Sequence, residues 1–221
     1  MPGLRWCASL NELDNEALDV VVDFSVARAV LATAKWCAAK GVHLVCGTTG
    51  LDDAELGELG RLFRAEIGPN CVVAPNFAIS AVLMMRLAAL AAPYFDSIEI
   101  VELHHDEKRD APSGTALETA RSLVAARERA GSAPLRADPT TEERLAGARG
   151  GLGPAGIRVH AVRLHGLVAH QEVLLGAQGQ SLTIRQDSYD RTSFMPGVLL
   201  AIEKVGSAPG LSVGLERLLG I

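Results

Sequence analysis

The sequence predicts an α/β protein with a parallel, doubly wound sheet, followed by a second α/β region that contains an open sheet. Three observations predict this fold class. Short apolar runs alternate with helical patterns up to residue 96, the pattern changes at Ser97, and several β-like runs without intervening helices follow residue 156. Continuously apolar strands between helices are typical of a parallel sheet that is covered on both faces.

Three strand–helix units occupy the first region. The predicted strands are residues 20–24, 42–46 and 71–74, and each precedes a helical pattern. Ser25 is a plausible N-cap of the first helix, and Gly41 ends it. Ligands of parallel sheets bind at the carboxyl ends of the strands, so we expect binding loops at residues 23–25, 47–50 and 75–77.

The second region begins with a strand at residues 98–103, followed by a polar segment and a helix from about Thr115 to Arg129. Residues 130–156 are rich in Gly, Pro and charge and predict an extended loop, a candidate lid. Three β-like runs follow at residues 157–164, 168–175 and 181–187, the last two as a hairpin, before a helix at 194–205. We therefore predict one domain of residues 1–96 with 195–221 packing back on it, and a second domain of residues 97–194.

Composition limits the possible functions. Among 221 residues, 48% are hydrophobic and 21% charged, and the net charge of -5 comes from interspersed residues. Such a chain has no basic stripe, so we expect binding neither to nucleic acid nor to membranes. Four cysteines without Cys-x-x-Cys spacing indicate buried reduced thiols. The first residues lack the basic-then-apolar pattern of a signal peptide, and no apolar run approaches about 20 residues. We expect a cytoplasmic protein.

Residues 102–116 carry the densest chemistry of the chain: two imidazoles, an ammonium and a Ser-Gly-Thr helix start. Histidine exchanges protons near neutral pH, and backbone amides of a helix start hold carboxylates or phosphates. His104 and His105 are adjacent, so if the strand continues they point to opposite faces and cannot serve one site equally; a structural role for one of them is an open alternative. Thr115 and Glu118 match a capping box, which explains both residues by helix stability alone. The pattern indicates a site for a small anion.

Two glycine motifs and the remaining histidines have plainer interpretations beside the functional ones. The turn at residues 47–50 follows a strand and precedes a helix, so a ligand loop and a simple turn are about equally supported. The G-x-G-x-x-G at residues 151–156 contains Pro154 and precedes a β-like run, which favours a flexible loop over a phosphate site. The histidine and cysteine spacing argues against a metal site.

The chain resembles the 4-hydroxy-tetrahydrodipicolinate reductase family, also called dihydrodipicolinate reductases. The segment at residues 102–116 is similar to the family signature. Further motifs in the family's order are residues 22–24, 47–50, 74–77, 160–163 and 190–194. The resemblance implies a Rossmann-like dinucleotide-binding domain, a mixed α/β substrate-binding and tetramerisation domain, NADH or NADPH as cofactor, a dicarboxylate substrate and a homotetramer. It places the chain in lysine and diaminopimelate biosynthesis.

Site roles follow from this resemblance position by position. It implies that His104 is the acid/base residue and Lys108 the proton donor, while His105, Gly114 and Thr115 hold the substrate carboxylates. The residues implied to line the nicotinamide are Gly47, Thr48, Thr49, Ala74, Pro75, Asn76 and Phe77. A hydride goes from the cofactor to the conjugated C=N/C=C system, and an acid protonates the enamine carbon.

The N-terminus departs from the family pattern. Family members begin with a strand, a Gly-rich turn and a helix that hold the pyrophosphate, whereas residues 1–19 contain one glycine. A strand–helix–strand opening of roughly 30 residues is therefore expected to be missing, which predicts weak cofactor binding and poor stability. Two hypotheses follow: an active reductase, or a non-catalytic remnant that acts as an assembly or dicarboxylate-binding module.

Overall fold

The computed structural model describes residues 5–14, 16–66 and 68–221, and contacts within the chain divide it into two units. The first unit comprises the described residues as far as Phe77 together with Phe194–Ile221, and the second is Ala78–Ser193. Helix α3 (Ile79–Ala91) belongs to the second unit because Met84, Ala88 and Ala89 are buried in that unit's core. The predicted boundary at residue 97 follows this helix, whereas the contacts place the boundary before it.

The first unit contains a four-stranded sheet in which every neighbouring pair is parallel. Its strands, in spatial order, are β1 (Val20–Asp23), β2 (His43–Cys46), β3 (Cys71–Val73) and β9 (Leu211–Val213). Its helices are α1 (Ala27–Lys40), α2 (Asp53–Leu62), α5 (Met195–Lys204) and α6 (Glu216–Leu219). The predicted Rossmann-like parallel sheet is confirmed, with strand ends within about two residues of those expected.

Helix α1 packs on this sheet through residues at helical spacing. Val30, Ala34 and Cys37 recur every three or four residues and are buried with Leu44 and Phe63 in one core. Burying each large apolar side chain contributes about 1.5–3 kcal/mol relative to exposing it. The helix ends where Gly41 adopts a left-handed conformation (φ 73°), which glycine accepts without strain.

The register of the parallel sheet brings three loops to one edge. Asp23 of β1 is aligned with Cys46 of β2, and Cys46 is aligned with Val73 of β3. All three strands therefore end at the same level. The loops that follow them leave the sheet side by side, as the alternation of strands and helices predicted.

The second unit contains a five-stranded mixed sheet. In spatial order its strands are β5 (Gly151–Leu152), β6 (Arg158–Arg163), β4 (Ser97–His104), β7 (Ala169–Ala177) and β8 (Gln180–Ser188). β4 pairs in parallel with β6, and the other pairs are antiparallel. Helices α3 and α4 (Gly114–Arg129) share a core with residues from one face of the sheet, Ile98 and Ile100 among them. This confirms the predicted mixed α/β region and its β7–β8 hairpin.

The predicted long loop contains neither helix nor strand from residue 131 to residue 150. It is tied to the sheet through ion pairs. Asp138 Oδ2 lies 3.2 Å from Arg149 Nε and 3.0 Å from Arg158 Nε, and Arg149 Nη2 donates to Glu99 Oε1 at 2.5 Å. The G-x-G-x-x-G that follows begins with strand β5, paired with β6, so it lacks the strand–turn–helix context of a phosphate loop.

Candidate active site

A buried carboxylate lies near the carboxyl end of the central strand β4. Side chains alternate between the two faces of a strand, so Glu102 and His104 lie on the same face as Ile98 and Ile100. Glu102 is completely buried, whereas His104 at the end of the strand is half-buried. A buried carboxylate is costly unless hydrogen-bond donors surround it.

Four donors surround Glu102. Oε2 accepts from His104 Nδ1 at 2.5 Å and from Arg163 Nη1 at 2.8 Å. Oε1 accepts from Arg163 Nη2 at 2.8 Å and from the backbone amide of Ser113 at 3.0 Å. Arg163 reaches the carboxylate because β4 and β6 are parallel neighbours and His104 is aligned with Arg163. The pair is bidentate, the strong geometry for guanidinium and carboxylate.

These contacts determine the protonation of the cluster. Burial raises the pKa of Glu102, but hydrogen bonds from Arg163 and His104 outweigh it and lower that pKa overall. Burial lowers the pKa of His104 more than Glu102 raises it, and the charges of Lys108 and Arg163 lower it further. Glu102 is therefore an anion beside a neutral imidazole at pH 7. The imidazole proton lies on Nδ1, because that nitrogen faces the carboxylate, and Nε2 carries a lone pair.

Lys108 and the start of α4 lie in the segment that follows β4. Lys108 Nζ donates to both carboxylate oxygens of Asp110, at 2.8 and 2.9 Å. Ser113 caps α4, with its hydroxyl accepting from the amide of Ala116 at 3.2 Å. The predicted capping box of Thr115 and Glu118 is wrong, because the helix begins one residue earlier than expected and Thr115 lies inside its first turn.

The remaining predicted carboxylate-binding residues lie on the same segment. His105 is exposed and lies just beyond the last residue of β4, so its environment differs from that of His104. Gly114 is exposed and Thr115 half-exposed at the first turn of α4, where backbone amides have no partner inside the helix. The second unit thus combines a base with a free lone pair, a lysine and a helix start within one short stretch of chain.

In the first unit, Asp23 connects two of the strand-end loops. Its Oδ1 accepts from the Ser25 amide at 2.8 Å, the Ser25 hydroxyl at 2.6 Å and the Thr48 hydroxyl at 3.1 Å. Burial raises the pKa of Asp23, but the hydrogen bonds, those from Ser25 first, lower it overall. The prediction that Ser25 is the N-cap of α1 is wrong, because Val26 occupies that position and Ser25 bonds to Asp23 instead. Thr48 is buried by this contact, whereas Thr49 is exposed.

An aromatic surface lies beside these loops. The Phe24 ring, whose residue is 55% exposed, packs against the buried Phe77 with ring centroids 5.5 Å apart. A Cβ on Gly47 would lie 2.1 Å from the Phe24 ring, so only glycine allows this approach. Pro75 is exposed and Ala74 buried in the loop after β3. The expected loops are therefore joined around one exposed aromatic ring.

The sequence placed four further residues in motifs or expected loops but gave them no individual role: Glu102, Arg163, Asp23 and Phe24. One signal was available for Glu102, because a Glu-x-His pattern at the end of a strand places both side chains on one face. Arg163 lies 61 residues from Glu102 in the chain, and only the order of the strands brings them together.

The first unit has a parallel sheet with open strand-end loops, and the second has a mixed sheet with an imidazole–lysine cluster. Together in one chain, these two units define a two-unit nucleotide-dependent reductase. The comparisons identify its family. The family model for "Dihydrodipicolinate reductase, N-terminus" matches residues 2–77, and that for "Dihydrodipicolinate reductase, C-terminus" matches residues 80–219. The chain belongs to the dihydrodipicolinate reductase family, whose members are NAD(P)H-dependent oxidoreductases.

Individual relatives agree. The 4-hydroxy-tetrahydrodipicolinate reductase of Thermobifida fusca is 56% identical over 206 residues, which is 92% of this chain and 82% of the relative. That of Beutenbergia cavernae is 52% identical over 224 residues, covering 99% of this chain and 90% of the relative. A solved dipicolinate-bound dihydrodipicolinate reductase from Paenisporosarcina sp. TG-14 superposes with a TM-score of 0.84 at 42% identity, covering 98% of this chain and 82% of the other.

Proposed function

We propose that this chain catalyses the NAD(P)H-dependent reduction of 4-hydroxy-tetrahydrodipicolinate to tetrahydrodipicolinate, in which the 4-hydroxyl group leaves as water, a step of lysine and diaminopimelate biosynthesis. The observation that carries the proposal is the His104 imidazole, whose Nδ1 is held at 2.5 Å by a buried carboxylate. The relatives that share about half of the residues bear the name of this activity. A simple structural histidine would not need a fully buried, fourfold hydrogen-bonded anion to orient it.

The second unit supplies the substrate chemistry in this proposal. The amides of Gly114 and Thr115 at the start of α4 bind a substrate carboxylate, and exposed His105 contributes to the same anion. His104 uses its Nε2 lone pair as the acid/base group. Lys108, whose Nζ lies 2.8 Å from Asp110 Oδ1, donates the proton to the enamine carbon. The pKa of Asp110 is lowered by its bond to Lys108, which keeps that partner an anion.

The residues of the first unit fit one end of the cofactor. A planar ring can stack on an exposed aromatic side chain, and the Phe24 ring lies among the loops that hold Gly47, Thr49 and Pro75. When bound, NADH or NADPH supplies the hydride. The start of α2 does not fit the pyrophosphate, because Asp52 and Glu55 already cap it with their carboxylates. Within residues 5–14 and 16–19, no strand or Gly-rich turn provides an alternative cradle.

The decisive test is oxidation of NADH and of NADPH by the purified chain with freshly generated 4-hydroxy-tetrahydrodipicolinate. We expect turnover, and we expect His104→Ala and Lys108→Ala to lower kcat by about 10²–10⁴. His165→Ala is the matched control, because its side chain is 94% exposed and we assign it no role. Comparing the two nucleotides also establishes the cofactor preference.

The non-catalytic alternative makes a different prediction in the same experiment. The carboxylates of Asp52 and Glu55 at the start of α2, which do not fit a pyrophosphate, favour it. Pyridine-2,6-dicarboxylate binding measured by calorimetry, together with no nucleotide oxidation, would replace the reductase with a dicarboxylate-binding module. Turnover with either nucleotide eliminates that module.

We also propose a homotetramer in the cytoplasm. The face of the mixed sheet opposite its helices carries half-exposed Val101, Leu103 and Leu174, which a second copy could cover. Light scattering after gel filtration should give four times the 23.3 kDa chain mass.

Free Cys37, Cys46 and Cys71 are buried, and burial raises the pKa of Cys37 to about 12, which fits a reducing compartment. Within the described ranges, no helix is both long and apolar enough to cross a bilayer.

A further inference from the structure

We propose that Glu102 and Arg163 are positioning residues, through which one buried carboxylate aligns both the acid/base histidine and the carboxylate-binding start of α4. This inference rests on the proposed function for its kinetic consequences. Its structural content, the tautomer of His104, can be tested without any turnover.

The two carboxylate oxygens of Glu102 bind different groups. Oε2 faces His104 Nδ1, and Oε1 faces the Ser113 amide, the residue that caps α4. Each oxygen also receives one N–H from Arg163. Movement of this carboxylate would therefore displace the imidazole and the helix start together.

Three of the four atoms around the carboxylate, the two Arg163 amino nitrogens and the Ser113 amide nitrogen, can only donate, so the carboxylate acts as an acceptor. An ionised carboxylate satisfies them, whereas an amide or a protonated acid presents a donor to another donor. The same requirement determines the tautomer of the His104 imidazole. His104 must carry its proton on Nδ1, which leaves Nε2 free to exchange a proton with the substrate.

Arg163 makes this arrangement possible without an imidazolium. A buried anion needs a countercharge, and the bidentate guanidinium supplies it. His104 can then stay neutral although it touches the anion, and burial of the ring favours the same state. Arg163 Nη2 also donates to the backbone oxygen of Asp110 at 2.6 Å, and the Asp110 side chain holds Lys108. The guanidinium thereby connects His104 and Lys108 through one network.

The charged groups that act on His104 come from three elements. Glu102 lies on its own strand, Arg163 on β6, and Lys108 on the segment that leads to α4. The neighbour of Glu102 on β7 is Gln171, which is neutral and donates to Thr119 at 2.8 Å. The protonation of His104 is therefore governed by burial of the ring first, and then by the balance of Glu102 against the two cations.

Glu102→Gln tests the role of the carboxylate. The amide keeps the size of the side chain but places an NH₂ among donors, and the imidazole can relieve the conflict by moving its proton to Nε2. Where a buried carboxylate fixes the tautomer of a catalytic histidine, converting it to the amide lowers kcat by about 10⁴. The oxygen of the amide can still accept from the Ser113 amide and hold the start of α4. We therefore expect kcat to fall by about 10²–10⁴, with KM for the dicarboxylate changed by less than about threefold.

Nitrogen-15 NMR of the histidine rings provides the direct readout. In the unmodified protein the His104 signals should show a protonated Nδ1 and an unprotonated Nε2, and Glu102→Gln should exchange these states. A wild-type His104 with its proton on Nε2 would overturn the proposal, even if the variant failed to fold. So would a folded Glu102→Gln protein with unchanged kcat and unchanged ring signals.

The chain offers a matched control on the opposite face of the same strand. Glu99 is also bonded to an arginine and a histidine, with Arg149 Nη2 at 2.5 Å and His160 Nε2 at 2.7 Å. Glu99→Gln disrupts an equivalent cluster away from the site. It should leave kcat and the His104 ring signals unchanged, and an equal loss of kcat in both variants would mean a general structural effect and reject the proposal.

Arg163→Met tests the countercharge. Loss of the cation leaves Glu102 facing His104 alone, so the histidine pKa should rise, and the ascending limb of the kcat/KM–pH profile should move upward by about one unit or more. An unmoved limb would overturn this role of Arg163. If the wild-type chain shows no reductase activity but the ring signals behave as expected, the proposed function fails while the positioning of His104 by Glu102 stands.

Discussion

Gly197 lies where helix α5 crosses the loop that follows β3, and replacing it with alanine should destabilise the protein. A Cβ at this position would lie 2.1 Å from the backbone oxygen of Phe77 and 3.1 Å from Leu215 Cδ1. Real Cβ contacts do not fall below 3.0 Å, so the helix and the loop must separate by about 0.9 Å, the difference between 3.0 and 2.1 Å. The obstacle is backbone, which cannot rotate away as a side chain would.

The size of the effect follows from two opposing contributions. Overpacking of this kind costs about 1–3 kcal/mol, and a backbone obstacle places Gly197→Ala at the upper end. Alanine recovers at most about 1 kcal/mol through its higher helix propensity. The net loss is about 2 kcal/mol, which lowers Tm by roughly 4–8 °C for a chain of this size. Calorimetry or circular dichroism measures that shift directly.

Gly60→Ala is the control that separates packing from propensity. Gly60 also lies in a helix, α2, but its Cβ would lie 3.8 Å from Leu211 Cδ2, an ordinary contact. The same substitution should therefore raise Tm by up to about 2–4 °C. A Gly197→Ala protein as stable as the wild type would refute the close approach of α5 to Phe77. Because Phe77 belongs to the proposed cofactor loop, Gly197→Ala should also raise KM for the nucleotide.

Three further predictions concern buried and exposed polar groups. Asn70→Ala removes three hydrogen bonds of 2.9–3.0 Å to backbone groups and should cost about 2–3 kcal/mol, seen as a lower midpoint in urea unfolding. Asp23→Asn should lower Tm at pH 7. The folded pKa of Asp23 lies below its ordinary value of 3.8, so this stabilisation is complete above about pH 4 and the Tm difference should shrink as pH falls further; a constant difference would contradict the shift. Asp138→Asn should speed proteolytic cleavage within residues 131–150, because Asp138 binds Arg149 in that segment and ties the segment to Arg158 on β6. Glu142→Gln in the same segment should not.

The sequence was sufficient where structure depends on neighbours along the chain. Apolar runs separated by helical patterns predicted the strands and helices of the parallel sheet, because burial imposes a period on residues close in sequence. The same reasoning rejected the G-x-G-x-x-G at residues 151–156. Local chemistry also singled out the segment with His104 and Lys108, since imidazole, ammonium and a helix start share one short stretch.

Prediction failed where two local signals competed. Ser25 and Thr115 are both good N-cap residue types, yet Val26 and Ser113 occupy the N-cap positions. Ser25 bonds to Asp23 instead, and the amide of Ser113 is drawn to buried Glu102. The Asp23–Ser25 bond joins residues two positions apart, and Ser113 is itself a preferred N-cap type, so competing local contacts decided both helix starts.

The sequence by itself thus determined the α/β class, the order of the elements and the segment that carries the proton-transfer groups, because these depend on spacing along the chain. Only the tertiary structure decided that Arg163 neutralises Glu102, that Glu102 orients His104, and that Gly47 admits the Phe24 ring. Those contacts depend on which strands become neighbours and in what register. Strand order is set by the packing of the whole sheet, so residues 61 positions apart such as Glu102 and Arg163 meet without any local signal.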